Sequence, residues 1–162
     1  MKTEGFSAVS NAHAKVLILG SMPGQRSLAE MQYYAHPRNA FWPIMGSLFN
    51  AGPEISYAHR LDRLGEHHIA LWDVLQFCER PGSLDSAIKA DSAIINNFDR
   101  FFACHPEIQT VFFNGKKAAE LYRRHMPAAT QRLITLPSTS PANAAMSFAE
   151  KLRCWSQVAN PI

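Results

Sequence analysis

Residues Val16 to Trp42 read VLILGSMPGQRSLAEMQYYAHPRNAFW, and the fold turns on how this stretch changes character along its length. Val16 to Leu19 is a continuous apolar run closed by Gly20, the pattern of a strand inside a parallel sheet with both faces covered. The run stops at Gly20-Ser21-Met22-Pro23-Gly24, a sequence suited to a tight turn with exposed amides. Tyr33, Tyr34, His36, Arg38, Asn39, Phe41 and Trp42 then crowd together before any periodicity returns. A buried strand therefore feeds a long loop rich in flat rings and hydrogen-bonding groups.

The apolar pattern recurs downstream at Ile69 to Val74, at Thr110 to Phe113 before Asn114-Gly115, and at Arg132 to Leu136 before Pro137. Helical stretches lie between these runs: Ala40 to Asn50 with Pro43 in its first turn, Tyr57 to Gly65 behind Ser56, Ser92 to Cys104 behind Asp91, and Gly115 to His125. Asn143 to Val158 closes the chain as an amphipathic helix whose Ala144, Phe148, Leu152 and Trp155 share one face. Phe98, Phe101, Phe102, Met146 and Cys154 are assigned to the core. This alternation predicts an α/β fold, a three-layer α/β/α sandwich around a four-stranded, mainly parallel central sheet. Such sheets bind ligands beyond the carboxyl ends of their strands. Residues 20–39, 73–85, 114–117 and 137–143 should therefore converge on one cleft.

At 162 residues, 47% apolar and 18% charged, the chain is read as one domain spanning 1–162, long enough to bury a substantial core. A net charge of +3 permits a polyanionic partner without requiring one. Cys78, Cys104 and Cys154 are far apart and form no C-x-x-C pair, so they are expected to be buried free thiols of a reducing cytoplasm, with no thiolate metal site. Neither a signal-like N-terminus nor a membrane-length apolar run is present, which predicts a soluble cytoplasmic protein with no membrane partner.

The glycine turn lacks both the G-x-x-x-x-G-K-[ST] and the G-x-G-x-x-G patterns, which argues against a nucleotide cofactor. The ring-rich segment after it suits an extruded nucleobase, which needs a stacking surface and polar groups for its edge. At least one of Phe41 and Trp42, at a helix start, is expected to pack into the core.

Gly20-Ser-Met-Pro-Gly24, Tyr34-Ala-His-Pro-Arg-Asn-Ala-Phe-Trp42 and Leu136-Pro-Ser-Thr-Ser-Pro-Ala-Asn143, in that order, resemble the uracil-DNA glycosylase superfamily, and within it the hypoxanthine-DNA (DNA-deoxyinosine) glycosylase branch. The resemblance spans nearly the whole chain. It implies a monofunctional, metal-independent and cofactor-free enzyme of base excision repair, a monomer that releases hypoxanthine from deoxyinosine-containing DNA. Mismatch-specific relatives place a water-orienting Asn where Met22 stands, and a thioether cannot serve that role. The resemblance transfers the role to Asn39, whose carboxamide can orient water but is too weak a base to deprotonate it. Asn39 is also a favoured residue for capping the helix at Ala40, and the two roles are compatible.

The resemblance further implies a pocket wall from Ser21 and Met22, Tyr34 stacked on the base, and His36 bonding the base or a phosphate. Strand position adds Asn114 and Asp73, the latter as a carboxylate accepting the N1–H of hypoxanthine. DNA contacts fall to Arg38, to Lys116 and Lys117 at a helix N-terminus, to Ser138 and Ser140, and to Pro141 and Ala142 as small wedges. Lys116 and Lys117 fit a solvated helix face equally well. The family's usual His near the start of the last motif is replaced by Leu136-Pro137. No Lys occupies a matched motif position, so no lyase step is expected. Two alternatives stay open at this level: a non-catalytic module binding nucleic acid or nucleotide, and a glycosylase acting mainly on uracil.

Overall fold

The computed structural model describes residues 2–126 and 128–161. Among them, parallel strands β2 (Val16–Gly20), β3 (Ile69–Asp73), β6 (Thr110–Asn114) and β7 (Arg132–Leu136) form a sheet in the order β3-β2-β6-β7. Central β2 pairs Val16 with Ile69 on one side and with Thr110 on the other, and every one of its residues is buried.

Alternation along the strands builds a core on each face. Leu17, Leu19, Val111 and Phe113 point to one side, where helices α4 (Phe98–Cys104) and α5 (Lys116–His125) add Phe98, Phe101, Leu121 and Tyr122. Val16, Ile18 and Phe112 point to the other, against Phe41 and Trp42 of α2 (Phe41–Phe49), Leu64 of α3 (Tyr57–Glu66) and Trp155 of α6 (Phe148–Trp155). The result is the α/β/α sandwich expected, and both Phe41 and Trp42 are core residues. Ser56 caps α3 as predicted, its hydroxyl accepting the His59 amide at 3.2 Å.

Several boundaries differ from the sequence expectation, each for a local reason. Strand β3 stops at Asp73; Val74 and Leu75 donate their amides to the carbonyls of Gly20 and Ser21, and the chain leaves the sheet. It continues as β4 (Leu75–Glu79), whose mixed burial suits a half-covered antiparallel sheet with β1 (Lys2–Glu4) and β5 (Ile94–Ile95). Residues 92–104 are therefore not one helix. Ile94 and Ile95 pair with β4, and α4 begins only where the Asn97 side chain accepts the Arg100 amide at 3.1 Å.

A short helix, α1 (Gln25–Glu30), occupies part of the expected long loop. The closing helix likewise starts late, at Phe148, behind a capping box of Ser147 and Glu150. Ala144 lies outside it and Phe148 is 44% exposed, so Leu152, Trp155 and the following Val158 carry the apolar face. Cys78 is buried as expected, whereas Cys104 is exposed and Cys154 half-buried; all three are free thiols.

Candidate active site

The carboxyl ends of β2, β3, β6 and β7 open into a cleft of about 680 Å³, within the usual range for small-molecule sites. Its floor is set by a close approach. A Cβ on Gly20 would stand 2.5 Å from Asp73 Oδ1 and 3.0 Å from the Tyr34 hydroxyl, so only glycine lets these two groups meet across the strand end. Among the described residues, Tyr34 Oη and Asp73 Oδ2 are the buried side-chain oxygen or nitrogen atoms without a hydrogen-bond partner. Burial pushes the Asp73 carboxyl up to about 7, with Asp85 adding to the rise and Arg80 opposing it. Burial, then the Asp73 charge, raises the Tyr34 phenol, so it remains a donor. The Asn114 carboxamide lies close to that hydroxyl but outside hydrogen-bonding geometry.

Tyr34 sits at φ 55°, in the left-handed region, and its ring stacks on Phe41 at 4.1 Å and 25° between planes. One ring face is thus used internally, and the residue lines the cleft. Asn39 borders the cleft one position before the α2 N-cap, Ala40, and its Oδ1 accepts the Phe41 amide at 2.9 Å. That bond decides which end of the carboxamide is oxygen and leaves a second lone pair available. The Asn thus tethers the helix start and remains able to accept from water. His36 is exposed; its Nδ1 accepts the Arg38 amide at 3.1 Å, which leaves Nε2 as the donor nitrogen. Arg38 is exposed on the same rim.

Other expected residues turn out to hold the site together. The Ser21 hydroxyl donates to Asp85 Oδ1 at 2.5 Å, and Met22 is 7% exposed within the apolar core. Asn114 spans Thr139 in both directions: Oδ1 accepts the Thr139 amide and Nδ2 donates to its hydroxyl, each at 2.9 Å. This clamp is the bonding the Asn114 side chain makes, and Asn114, like Ser21 and Met22, also lines the cleft. It fixes the loop over residues 137–143, which is folded further by Ser138 and Ser140 accepting the Ser140 and Ala142 amides and by Asn143 donating to the Ser138 carbonyl. The Thr139 carbonyl accepts the Ala40 amide at 3.0 Å, joining this loop to the start of α2.

Lys116 is exposed and Lys117 half-buried near Glu120, and neither lines the cleft. Their α5 N-terminus nevertheless abuts the last loop, since a Cβ on Gly115 would meet Ser138 at 3.1 Å. Asp85, Arg80, Thr139 and Asn143 are the working residues that sequence reading passed over. Their one sequence signal was membership of the strand-end segments or of the last motif. Among the described residues, no group of three or more His, Cys, Asp or Glu side chains is placed to hold a metal ion, and no helix is long and apolar enough to cross a membrane.

Comparison with known proteins agrees with this layout. The family model described as the uracil DNA glycosylase superfamily matches residues 7–159. A hypoxanthine DNA glycosylase of Methanosarcina barkeri is 39% identical, over 88% of this chain and 89% of that protein. One of Methanosarcina acetivorans is 35% identical, over 91% and 92% respectively. A solution NMR structure of a Methanosarcina acetivorans protein, described as a candidate uracil DNA glycosylase, superposes with a TM-score of 0.80 at 32% identity, covering 98% of this chain and 99% of that one. With the sheet order, the strand-end cleft and a family match over nearly its full length, the chain belongs to the uracil DNA glycosylase superfamily.

Proposed function

We propose that this chain is a monofunctional DNA glycosylase that excises hypoxanthine from deoxyinosine-containing DNA, acting as a cytoplasmic monomer. The observation that carries the reading is the pair of unpartnered buried groups, Tyr34 Oη and Asp73 Oδ2, at the floor of a cleft with room for an extruded base. Leaving such atoms unmet costs about 1–3 kcal/mol each, a cost a polar ligand removes. The relatives named hypoxanthine DNA glycosylase support the choice of base.

The sequence expectation of an ionised Asp73 changes in this setting. A carboxyl already poised near 7 is driven further toward its neutral form when a base displaces the remaining water. Neutral Asp73 offers a donor and an acceptor side by side, complementary to the O6 and N1–H of hypoxanthine. Tyr34 supplies its ring for stacking. As the C1′–N9 bond breaks, its electron pair moves onto the base, and the Asp73 O–H bonded at O6 stabilises that charge. Water held by Asn39 Oδ1 attacks C1′ of the cationic sugar and releases its proton to solvent, giving free hypoxanthine and an abasic site. Arg38 and the Nε2–H of His36, with Lys116, Lys117, Ser138 and Ser140, bind phosphates, and Pro141 and Ala142 rest on the base stack.

The test is release of hypoxanthine from an inosine oligonucleotide. Asn39→Ala should lose most of the turnover, about a hundredfold or more, while retaining DNA affinity. Unchanged turnover would remove Asn39 from the mechanism, and saturable binding with no base released would make the chain a binding module. A neutral acid also fits the lactam edge of uracil, and a structural relative described as a candidate uracil DNA glycosylase favours that second reading. Competition among inosine, uracil and xanthine substrates ranks them.

A further inference from the structure

Beyond β4 the chain runs Arg80-Pro81-Gly82-Ser83-Leu84-Asp85 along the cleft rim, and its fastening is unusual. The buried Arg80 guanidinium donates to the carbonyls of Met22, Pro23 and Gly82, pinning the loop root to the glycine turn after β2. Ser83 Oγ accepts the Gln25 amide at 2.8 Å, and Asp85 accepts the Ser21 hydroxyl. The residues on either side of Leu84 are therefore both tied down, and its own carbonyl accepts the Ala87 amide at 3.0 Å. Yet the Leu84 side chain is 57% exposed. The other exposed large apolar residues among those described are Met31, Ile94 and Phe148, and none of them borders the cleft.

Because its neighbours are anchored, Leu84 is held at the mouth of the cleft, where an apolar surface arriving with the ligand would meet it. The strand order sets its position relative to the last motif. The Leu84 loop is fastened to the turn after β2, whereas Pro141 and Ala142 follow β7, and all three residues line the same cleft with the end of β6 between them. DNA docking over the mouth meets both sides. When a nucleotide swings into the cleft it leaves a gap in the base stack, and Pro141 and Ala142 offer little side chain to fill it.

We infer that Leu84 is an apolar plug that enters the base stack beside the extruded nucleotide and holds the opened duplex. This rests on the glycosylase reading above. Because the loop is fastened beforehand, insertion needs little further ordering of the backbone.

The experiment compares full-length wild type, Leu84→Ala and Leu84→Met in single-turnover release of hypoxanthine from one sequence presented as an inosine·cytosine duplex and as a single strand. A 2-aminopurine beside the inosine reports opening of the stack. Leu84→Ala should slow duplex excision by about tenfold or more and abolish the fluorescence rise, while single-strand excision stays within about twofold of wild type. Leu84→Met should restore most of the duplex rate. An unaltered duplex rate, or equal slowing on both substrates, overturns the role of Leu84 and leaves the glycosylase reading standing. If the wild type frees no base from either substrate, both fall together.

Discussion

Replacing Asp73 by Asn tests the floor of the site most directly, because the wild-type residue carries a pH-dependent cost that the variant lacks. Below about pH 4 the carboxyl is neutral in the folded and unfolded chain alike, and no cost arises. Between its ordinary value of 3.8 and the folded value of about 7, the unfolded chain has released its proton while the folded one retains it. The unfolded state then binds fewer protons, so stability falls as pH rises through this window. Above about 7 the full difference is present, about 4 kcal/mol. An amide does not ionise, and its fixed packing cost is the same at every pH. In urea denaturation, the stability of Asp73→Asn relative to wild type should therefore improve by about 3 kcal/mol between about pH 5 and about pH 8. The same variant bears on chemistry, since a carboxamide presents a donor and an acceptor as the neutral acid does. Hypoxanthine release should persist in it, and the fall in kcat/KM expected of wild type as pH rises through about 7 should be lost. A stability difference that is the same at both pH values would refute the burial argument, and an unaltered rate profile would refute the role of the neutral acid.

Two further substitutions probe the frame around that floor. Gly20→Ala puts a methyl 2.5 Å from the Asp73 carboxyl and 3.0 Å from the Tyr34 hydroxyl, so excision should fall at least about tenfold and stability by about 1–3 kcal/mol, measured by single-turnover kinetics and denaturation. Asn114→Ala removes both bonds to Thr139 and should cost about 1–3 kcal/mol, with faster amide exchange across residues 137–143 and weaker DNA binding.

The proposed mechanism keeps a water-orienting Asn at the cleft although Met22 stands in the glycine turn. Met22 packs into the core at the edge of the cleft, and its backbone carbonyl is held by Arg80, while Asn39 borders the cleft from the loop just before α2. The turn after β2 supplies shape, and the start of α2 supplies the side chain. Phe41 links the two, since its amide orients Asn39 and its ring supports Tyr34.

Much of this was legible in the residues themselves. Apolar runs ending in Gly20, Asp73 and Asn114 marked three of the four parallel strands, because a strand covered on both faces has no polar alternation to hide it, and the half-covered edge strand β7 was marked by Leu133, Ile134 and Leu136 before Pro137. The ends of those strands named the cleft, and the motif of Tyr34 to Asn39 named the residues that face it. The second sheet was not legible: β4 is a half-buried strand and β1 and β5 are very short edges, their pairing joins residues far apart in sequence, and Ile94-Ile95 reads as helix when seen alone. The same limit applied within the site. That Asn114 is engaged by Thr139, that Ser21 holds Asp85, and that Leu84 is left outside the core depend on which distant groups share a partner. Composition and periodicity decide what is buried along one element. The protonation of Asp73, set by burial against Gly20 and by charges from the Arg80–Asp85 loop, existed only once the tertiary structure had brought those elements together.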